Sequence, residues 1–325
     1  MKKKMIIIGA NGSAYKRTIP ALKDSDICKV IAIQSRNEEK LKSICEEYNI
    51  DNYYTDVEKM LDNEQFDLIY IANPPFLHKD TIEKCIKTNK PIICEKPLAR
   101  DYNESLEIKE LLKEYKQPIM VAHHMRHQKA FSELKNIINE GQIGNIISCW
   151  GQWGFNIKLE APSSKWKLNK DLGGGGTFSD NGIHVIDFVL GIFGNPKQVI
   201  GNSRLNNFKE TYSNETMMLI YDDKDVVINS SHTMPYAGNH LLIYGTKGSI
   251  EIQNAMSEKS IRQIVINNDS GKKVIDYEEE NLYKNEVEDF IRYYLNDDKS
   301  VNNGTTLEES IIALKCIDDM RNIIK

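Results

Sequence analysis

The chain has 325 residues, of which 40% are hydrophobic and 27% charged, and its formal net charge is -5. This length predicts two domains of about 150 residues each, and the composition is typical of a globular protein. The acidic balance argues against a nucleic-acid-binding surface spread over the whole molecule. No apolar run approaches the roughly 18 residues of a membrane span, and the basic N-terminus lacks the long apolar run and cleavage site of a signal peptide.

The first strand, residues 5–8, runs directly into a glycine-rich turn and a helical stretch that reaches Leu22. This is the context of a dinucleotide-binding fingerprint, in which backbone N–H groups at a helix start face a pyrophosphate. Gly9 and Ala14 match the fingerprint, whereas Asn11 replaces its second glycine and Gly12 follows one residue later. A plain strand–helix turn is the alternative interpretation.

The second predicted strand, residues 29–34, ends in Ser35 and Arg36. An acidic residue at this place would hydrogen-bond the adenosine ribose and favour NAD. A hydroxyl and a guanidinium suit a 2′-phosphate instead, which favours NADP. Arg36 could also stack on the adenine of NAD, or simply be solvated.

Strands and helices continue to alternate as far as residue 122. Helices are predicted over 38–48, 80–88 and 103–115, a short helix opens with a capping box at Thr55, and strands are predicted over 66–72, 91–94 and 118–122. Asn73, Pro74 and Pro75 predict an extended turn after one strand, where His78 would orient the loop. Glu95 and Lys96 follow another strand, and Pro97 restricts the backbone of Lys96, with a cis bond left open. This alternation predicts a doubly wound parallel sheet, whose strands carry ligands at their carboxyl ends.

The second half changes to mostly strands, which predicts an α+β domain with a large, mainly antiparallel sheet. The strands are predicted over 143–155, 198–203, 216–221, 226–232, 240–245, 249–253, 261–267 and 273–277, with turn signals at 222–225 and 245–248. Helices are predicted over 128–140, 282–295 and 306–324. One broad face of such a sheet would be exposed, so we expect a second subunit to cover it.

Three histidines, His123, His124 and His127, lie close together but have no carboxylate or cysteine beside them. They therefore fit the lining of a substrate cleft better than a metal site. The six cysteines are scattered, which argues against a zinc site or a disulfide framework and fits reduced thiols in a cytoplasm.

Four glycines at 173–176 precede a predicted helix, residues 179–190, that is apolar over most of its surface. The glycines would allow a close backbone approach to a ligand or another chain. Asp180 and His184 lie four residues apart and therefore share one helical face. Because buried polar groups need partners, the two side chains either satisfy each other or the backbone, or form a titratable pair in a cleft.

Together these features resemble the Gfo/Idh/MocA family of NAD(P)-dependent oxidoreductases, named for glucose–fructose oxidoreductase, inositol dehydrogenase and a rhizopine-catabolism protein. The resemblance spans essentially the whole chain, and the combination of Glu-Lys-Pro with the later glycine run and Asp-x-x-x-His is more specific than any single motif. It rests on residues 9–14, 20–22 and 35–36, on Asn73, Pro74, Pro75 and His78, on 95–97, on Trp166, on 173–176, and on Asp180 with His184.

The resemblance implies an N-terminal Rossmann domain, residues 1–122, and a C-terminal substrate-binding and oligomerisation domain, residues 123–325, whose last helices can pack back on the first domain. The implied catalytic set is Lys96, Asp180 and His184, with no metal. The implied cofactor-binding residues are Gly9, Asn11, Gly12, Ser13, Ala14, Ser35, Arg36, Asn73, Pro74, His78, Glu95 and Lys96. The implied substrate-binding residues are Arg126, Trp153, Trp166, Asp180 and His184, with core packing as the alternative for Arg126 and the tryptophans.

By this resemblance, hydride moves between C4 of the nicotinamide and a carbinol carbon of a sugar, polyol or derivative. His184 would exchange the hydroxyl proton, Asp180 would orient the hydroxyl or the imidazole, and Lys96 would stabilise developing alkoxide charge. The implied cofactor is NADP or NAD, and the implied assembly is a homodimer or homotetramer. A glycosidase that uses bound NAD in a redox-neutral cycle, and a non-catalytic dinucleotide sensor, are the alternatives, although a sensor has no need of Lys96, Asp180 and His184.

Overall fold

The computed structural model describes residues 1–205, 208–302 and 304–323, which form two compact units. The first unit contains the described residues of 1–99, 103–124 and 283–308. The second contains the described residues of 100–102, 125–282 and 309–325. The chain therefore returns to the first unit late in its sequence before it ends in the second.

The strands are β1 Lys3–Ile8, β2 Cys28–Gln34, β3 Asn52–Tyr54, β4 Leu68–Ile71, β5 Ile92–Glu95, β6 Ile119–Ala122, β7 Ile146–Gly154, β8 Gln198–Arg204, β9 Asn214–Ile220, β10 Asp225–Ser231, β11 Leu241–Gly245, β12 Gly248–Ile252, β13 Gln263–Asn268, β14 Gly271–Asp276 and β15 Thr305–Thr306. The α-helices are α1 Ser13–Lys16, α2 Thr18–Leu22, α3 Glu38–Tyr48, α4 Val57–Asn63, α5 His78–Cys85, α6 Tyr102–Leu111, α7 Lys129–Asn139, α8 Ser164–Lys167, α9 Lys170–Gly173, α10 Ile183–Phe193, α11 Leu282–Phe290 and α12 Leu307–Ile323.

The sheet of the first unit has the order β3-β2-β1-β4-β5-β6-β15. Its first six strands are parallel, and β15 pairs antiparallel with β6 at one edge. Strand β4 and the last four residues of β1 are buried, as central strands covered by helices on both faces must be. The predicted doubly wound parallel sheet is confirmed, and the strand order reverses between β1 and β4, where such sheets bind ligands. The sequence did not reveal β3, because this short edge strand is only partly buried.

Three local predictions in the first unit are wrong in detail. The helix after the glycine-rich turn breaks at Arg17 into α1 and α2, because Pro20 has no N–H to donate and its ring would clash with the carbonyl of Lys16. The N-cap of α4 is Asp56, whose side chain accepts from the Lys59 amide, rather than Thr55. The turn after β4 is extended only at Pro74, since Pro75 opens a 3-10 turn that ends at Leu77.

The sheet of the second unit has the order β14-β13-β12-β11-β7-β10-β9-β8, and every neighbouring pair is antiparallel except the parallel pair of β7 and β10. The hairpins β9–β10 and β11–β12 turn where the sequence predicts. Helix α10 packs on one face, where a Cβ on Gly151 would lie 2.9 Å from Val185. The other face carries Trp150, 53% exposed, and Tyr244, 44% exposed. A large, mainly antiparallel sheet with an open face is therefore confirmed.

The helix predicted over 179–190 is a π-helical turn, Phe178–Gly182, that continues into α10. A second π-helical turn, Ile291–Leu295, follows α11. The last helix ends at Ile323, and the predicted end at Ile324 lies outside the described residues. Within the described ranges, none of the helices combines the length and the apolar character needed to cross a bilayer.

Candidate active site

The glycine-rich turn is fixed by backbone contacts that only glycine permits. Gly9 has φ +90°, and a Cβ there would lie 2.3 Å from the Asn73 backbone nitrogen. The N–H groups of Gly9 and Ala10 both donate to the Gln34 carbonyl at 2.9 Å. The turn after β1 is thus held against the ends of both β2 and β4, at the point where the strand order reverses.

At this turn Oδ1 of Asn11 and Oδ1 of Asn73 are buried and have no hydrogen-bond partner among the residues that the structure describes. Buried polar atoms in proteins are nearly always partnered. A dinucleotide bound at the switch point would bring hydroxyl and amide donors to these acceptors. A Cβ on Gly12 would meet nothing within 4 Å, so space remains beside the turn. The residues present therefore fit a dinucleotide.

The end of β2 carries the predicted adenosine-side residues. Ser35 is buried and its hydroxyl accepts from the Asn37 amide at 3.4 Å, whereas Arg36 is exposed. Sequence reasoning missed Lys40 on α3, whose Nζ donates to the Asn11 carbonyl at 3.0 Å. Lys40 lies in the first turn of α3, four residues after Arg36, which precedes the helix, and no motif in the sequence marks it.

His78 lies fully buried after the 3-10 turn. Its Nε2 is 2.8 Å from the Asn73 carbonyl and its Nδ1 is 3.1 Å from the Leu98 carbonyl. Burial lowers the pKa of this imidazole, although both carbonyl contacts oppose the shift. A neutral ring donates to one carbonyl at a time, so His78 ties the loop after β4 to the loop after β5.

Glu95 and Lys96 end β5, and the Lys96–Pro97 bond is cis. Glu95 accepts from the Tyr70 hydroxyl at 3.1 Å and from the Lys96 amide at 3.2 Å. Burial raises the pKa of the Glu95 carboxyl, and the Lys96 charge and the Tyr70 hydroxyl pull it back. Thr18 in turn donates to Tyr70 at 3.3 Å. The sequence did not indicate the contact between Tyr70 and Glu95, because Tyr70 lies within a buried strand and no motif marks it.

Every predicted cofactor residue therefore follows or ends one of four neighbouring strands. Residues 9–14 follow β1, 35–36 follow β2, 73–78 follow β4, and 95–96 close β5. The structure brings them all to the carboxyl edge of one parallel sheet.

In the second unit, Asp180 lies on the π-helical turn and is almost fully buried. Its two oxygens accept from Nζ of Lys167 at 2.7 and 2.9 Å, and its Oδ2 lies 3.2 Å from Nε2 of His232. The ammonium group stabilises the ionised carboxylate. Sequence reasoning missed both partners, since His232 lies 52 residues further along the chain and Lys167 resembles an ordinary surface cation.

His184 lies one turn further along, in the first turn of α10. Its ring is buried and stands 5.1 Å from the Trp153 ring. The Trp153 carbonyl accepts from the Asn181 side chain at 2.6 Å, so the π-helical turn holds the end of β7 beside His184. Trp166, on α8, is partly exposed next to Lys167.

The Arg126 side chain lies in a buried network of charged hydrogen bonds. Its guanidinium is 4% exposed and donates to the Asp187 carboxylate and carbonyl at 2.8 Å, and to Glu309 at 2.7 Å. Such a buried network anchors α10 to α12. These bonds favour the core-packing alternative over substrate binding.

Three of the four glycines, Gly173, Gly174 and Gly176, closely approach other parts of the chain. A Cβ on Gly173 would lie 2.7 Å from the carbonyls of Trp166 and Lys167, and one on Gly176 would lie 2.7 Å from Glu215.

In the parts of the chain that the structure describes, no group of three or more His, Cys, Asp or Glu side chains could hold a metal ion.

Two family models match the chain. A model described as "Oxidoreductase family, NAD-binding Rossmann fold" matches residues 3–123, and one described as "GFO/IDH/MocA C-terminal domain" matches residues 131–251. Together they cover well over half of the 325 residues.

Individual relatives agree. The chain is 23% identical over 308 residues to "D-xylose 1-dehydrogenase [NADP(+)]" of Haloarcula marismortui, which covers 92% of this chain and 85% of that one. It is 25% identical over 284 residues to "1,5-anhydro-D-fructose reductase" of Ensifer adhaerens, covering 86% and 84%. The crystal structure of an aldose-aldose oxidoreductase from Caulobacter crescentus, complexed with glycerol, superposes with a TM-score of 0.87 at 20% identity over 99% and 97% of the chains, and shows the shared fold. The chain belongs to the Gfo/Idh/MocA family of NAD(P)-binding oxidoreductases.

Proposed function

We propose that this oxidoreductase transfers a hydride between the nicotinamide and a carbinol or carbonyl carbon of a sugar, polyol or sugar derivative, with Lys96, Asp180 and His184 as its catalytic residues. The observation that carries the proposal is the buried Asp180 carboxylate, which is held by Lys167 and His232 within one turn of His184. The names of the xylose and anhydrofructose relatives support the substrate class.

Each residue has a role that its chemistry supports. When bound, the nicotinamide supplies or accepts the hydride at C4. In the oxidative direction the substrate O–H bond breaks and His184 takes the proton, because imidazole titrates near working pH. Asp180, kept ionised by the Lys167 ammonium, accepts from a substrate hydroxyl or orients the His184 ring. Lys96 donates to the reacting oxygen and stabilises its developing negative charge.

The tryptophans are the proposed sugar-contacting surfaces. Trp166 is partly exposed beside the cation that holds Asp180, and Trp153 lies against His184. An indole face suits the apolar face of a sugar ring. We leave Arg126 out of the substrate site because its guanidinium is committed to Asp187 and Glu309.

For the cofactor we propose NADP over NAD. Ser35, Arg36 and Lys40 offer a hydroxyl and two cations near the end of β2, and β2 ends without the acidic residue that would select NAD. We place the dinucleotide against residues 9–14, Asn73, Pro74 and His78, with Glu95 and Lys96 on the nicotinamide side.

The open face of the second sheet supports a homodimer or homotetramer. Trp150, Leu242 and Val227 line a shallow pocket of about 300 Å³ on this face. Monomers rarely expose large contiguous apolar patches, so we propose that a second subunit covers it. None of the six cysteines forms a disulfide, which suits the reducing cytoplasm where we place the protein.

The test is an absorbance assay of NADPH oxidation or NADP reduction against a panel of aldoses, anhydro-sugars, polyols and ketosugars. We expect turnover by the wild type and a loss of at least about 10³-fold in Lys96→Ala and in His184→Ala, because each removes a proton-transfer or charge-stabilising group. Lys87→Ala, an exposed lysine of the same unit, is the control and should keep wild-type rates. Folded Lys96→Ala and His184→Ala proteins with wild-type rates would refute the proposal, as would release of sugar from a glycoside without net change in nicotinamide absorbance.

A further inference from the structure

The Glu215 carboxylate, on β9, is completely buried and accepts four hydrogen bonds. Nε and Nη2 of Arg321 donate to its two oxygens at 2.9 and 3.0 Å. The Ser203 hydroxyl donates to Oε1 at 2.9 Å, and the Phe178 amide donates to Oε2 at 2.7 Å. A forked pair with every acceptor used has a single defined geometry, so this carboxylate is a fixed point of the second unit.

The remaining nitrogen of Arg321 reaches the chain just before Asp180. Nη1 donates to the Gly174 carbonyl at 2.6 Å and lies 3.3 Å from the Ser179 hydroxyl. Ser179 itself donates to the Gly174 carbonyl at 2.7 Å. Arg321, on α12, therefore binds both ends of the segment from 174 to 179.

The pair of Glu215 and Arg321 explains why residue 176 is a glycine. A Cβ there would lie 2.7 Å from Oε2 of Glu215 and 2.8 Å from Nη2 of Arg321. Both atoms belong to groups held by several bonds, so neither can move aside without breaking the pair. The ion pair in this position therefore requires a glycine at residue 176.

The segment leads directly into the π-helical turn that carries Asp180. Glu215 takes the Phe178 N–H, which lies at the first residue of that turn, where no helical partner exists. Turns with an inserted residue occur often at functional sites but lack the regular bonding of an α-helix. We propose that Glu215 and Arg321 are positioning residues that set where the Asp180 carboxylate stands during turnover. The proposal rests on the catalytic role given to Asp180 above.

The test combines kinetics with hydrogen exchange in Arg321→Lys and Ser179→Ala. Arg321→Lys keeps the charge but loses the fork, and Ser179→Ala removes only the hydroxyl contacts, so it should fold even if the arginine variant does not. We expect exchange of the amides of residues 176–182 to speed up at least about tenfold in Arg321→Lys, and kcat to fall about 10- to 100-fold, the cost of displacing a catalytic group by about 1 Å. KM and the NADPH dissociation constant should change by less than about threefold, since cofactor binding uses the other unit. Ser179→Ala should also speed up exchange at residues 176–182 and lower kcat, both by less than Arg321→Lys does.

Ile264→Ala provides the control for general loss of stability, because Ile264 is fully buried in β13. It should lower the melting temperature while exchange at 176–182 and kcat stay at wild-type values. If Arg321→Lys and Ser179→Ala behave like Ile264→Ala, the positioning role is refuted. If the wild type turns over no sugar, the proposed function fails, and exchange at 176–182 still decides whether the pair holds this turn.

Discussion

The two asparagine oxygens at the glycine-rich turn of the first unit differ in their partners from the two site carboxylates of the second unit. Oδ1 of Asn11 and Oδ1 of Asn73 are buried without hydrogen-bond partners among the described residues. In the second, the Asp180 carboxylate has an ammonium and an imidazole beside it, and Glu215 accepts four hydrogen bonds. Open acceptors suit a ligand that arrives and completes them. Carboxylates with ordered partners suit groups that must keep their place and charge through a reaction.

The same contrast separates the acidic residues Glu95 and Asp180. Burial raises the pKa of Glu95 and favours its neutral form, whereas the Lys167 ammonium contacts both oxygens of Asp180 and favours its charged form. Residue type alone does not set the charge of a carboxyl group in a site, because its surroundings do.

The largest expected effect comes from Asp180→Asn. The amide keeps the shape but not the charge that Lys167 and His232 complement, so we expect kcat to fall about 10³-fold, within the range of acid–base groups. NADPH affinity should not change. Steady-state kinetics and a binding titration on the same preparation check both parts, and a kcat within about threefold of wild type would show that Asp180 has no part in turnover.

A smaller loss is expected from Lys167→Met, which leaves the Asp180 carboxylate beside His232 without its ammonium. We expect kcat/KM to fall about 10- to 100-fold, the loss of one charge-assisted bond, and Lys167→Arg to recover most of it. Lys165→Met changes an exposed lysine on the same short helix and should leave kcat/KM at the wild-type value. Equal effects of Lys165→Met and Lys167→Met would mean that general charge, rather than contact with Asp180, matters.

In the first unit, Lys40→Ala should weaken NADPH binding about tenfold and leave NADH binding unchanged, because only NADPH carries the 2′-phosphate. Calorimetric titration with each dinucleotide measures this. Lys42→Ala, which removes an exposed lysine paired with Glu38 on the same helix, is the matched control. Tighter binding of NADH than of NADPH by the wild type would show that Arg36 stacks on adenine instead of pairing with a phosphate.

The smallest effect should be a pH dependence carried by Glu95. Because its folded pKa is raised, the neutral acid contributes stability that is complete below the ordinary glutamate pKa of about 4.3 and is lost as pH rises through the folded value. Glu95→Gln stays neutral throughout. We therefore expect the melting temperature of the wild type to fall relative to Glu95→Gln as pH rises. Glu83→Gln, at an exposed position, should show no such trend. A wild-type melting temperature that rises relative to that of Glu95→Gln as pH rises would contradict the raised pKa.

The sequence predicted the architecture well because long apolar strands and regular alternation carry strong signals. Strands β1, β4 and β5 each contain an apolar run of three or four residues, and the parallel order follows from the helices between them. It failed at β3, whose two tyrosines are only half-buried, and at the π-helical turn, because an inserted residue depends on tertiary contacts such as Phe178 to Glu215.

The candidate site was predictable where motifs are local and not where partners are distant. Residues 9–14 and Asp180 stand out by their spacing. Lys40, Lys167, His232, Glu215 and Arg321 carry no local pattern, and Arg321 meets Glu215 across 106 positions of sequence. Arg126 is the opposite case. The family resemblance implied a substrate contact for it, but its side chain pairs with Asp187 across 61 positions.

The central claim is that Lys40 of the first unit acts on cofactor selection, whereas Asp180 of the second unit acts on the chemical step. The most direct test measures kcat at saturating NADPH and the NADPH dissociation constant in both Lys40→Ala and Asp180→Asn. We predict a crossed result, in which Lys40→Ala weakens NADPH binding with kcat near wild type, and Asp180→Asn loses kcat with NADPH binding near wild type. If the two variants change the same quantity, or if Asp180→Asn weakens NADPH binding while it keeps kcat, the division of roles is wrong.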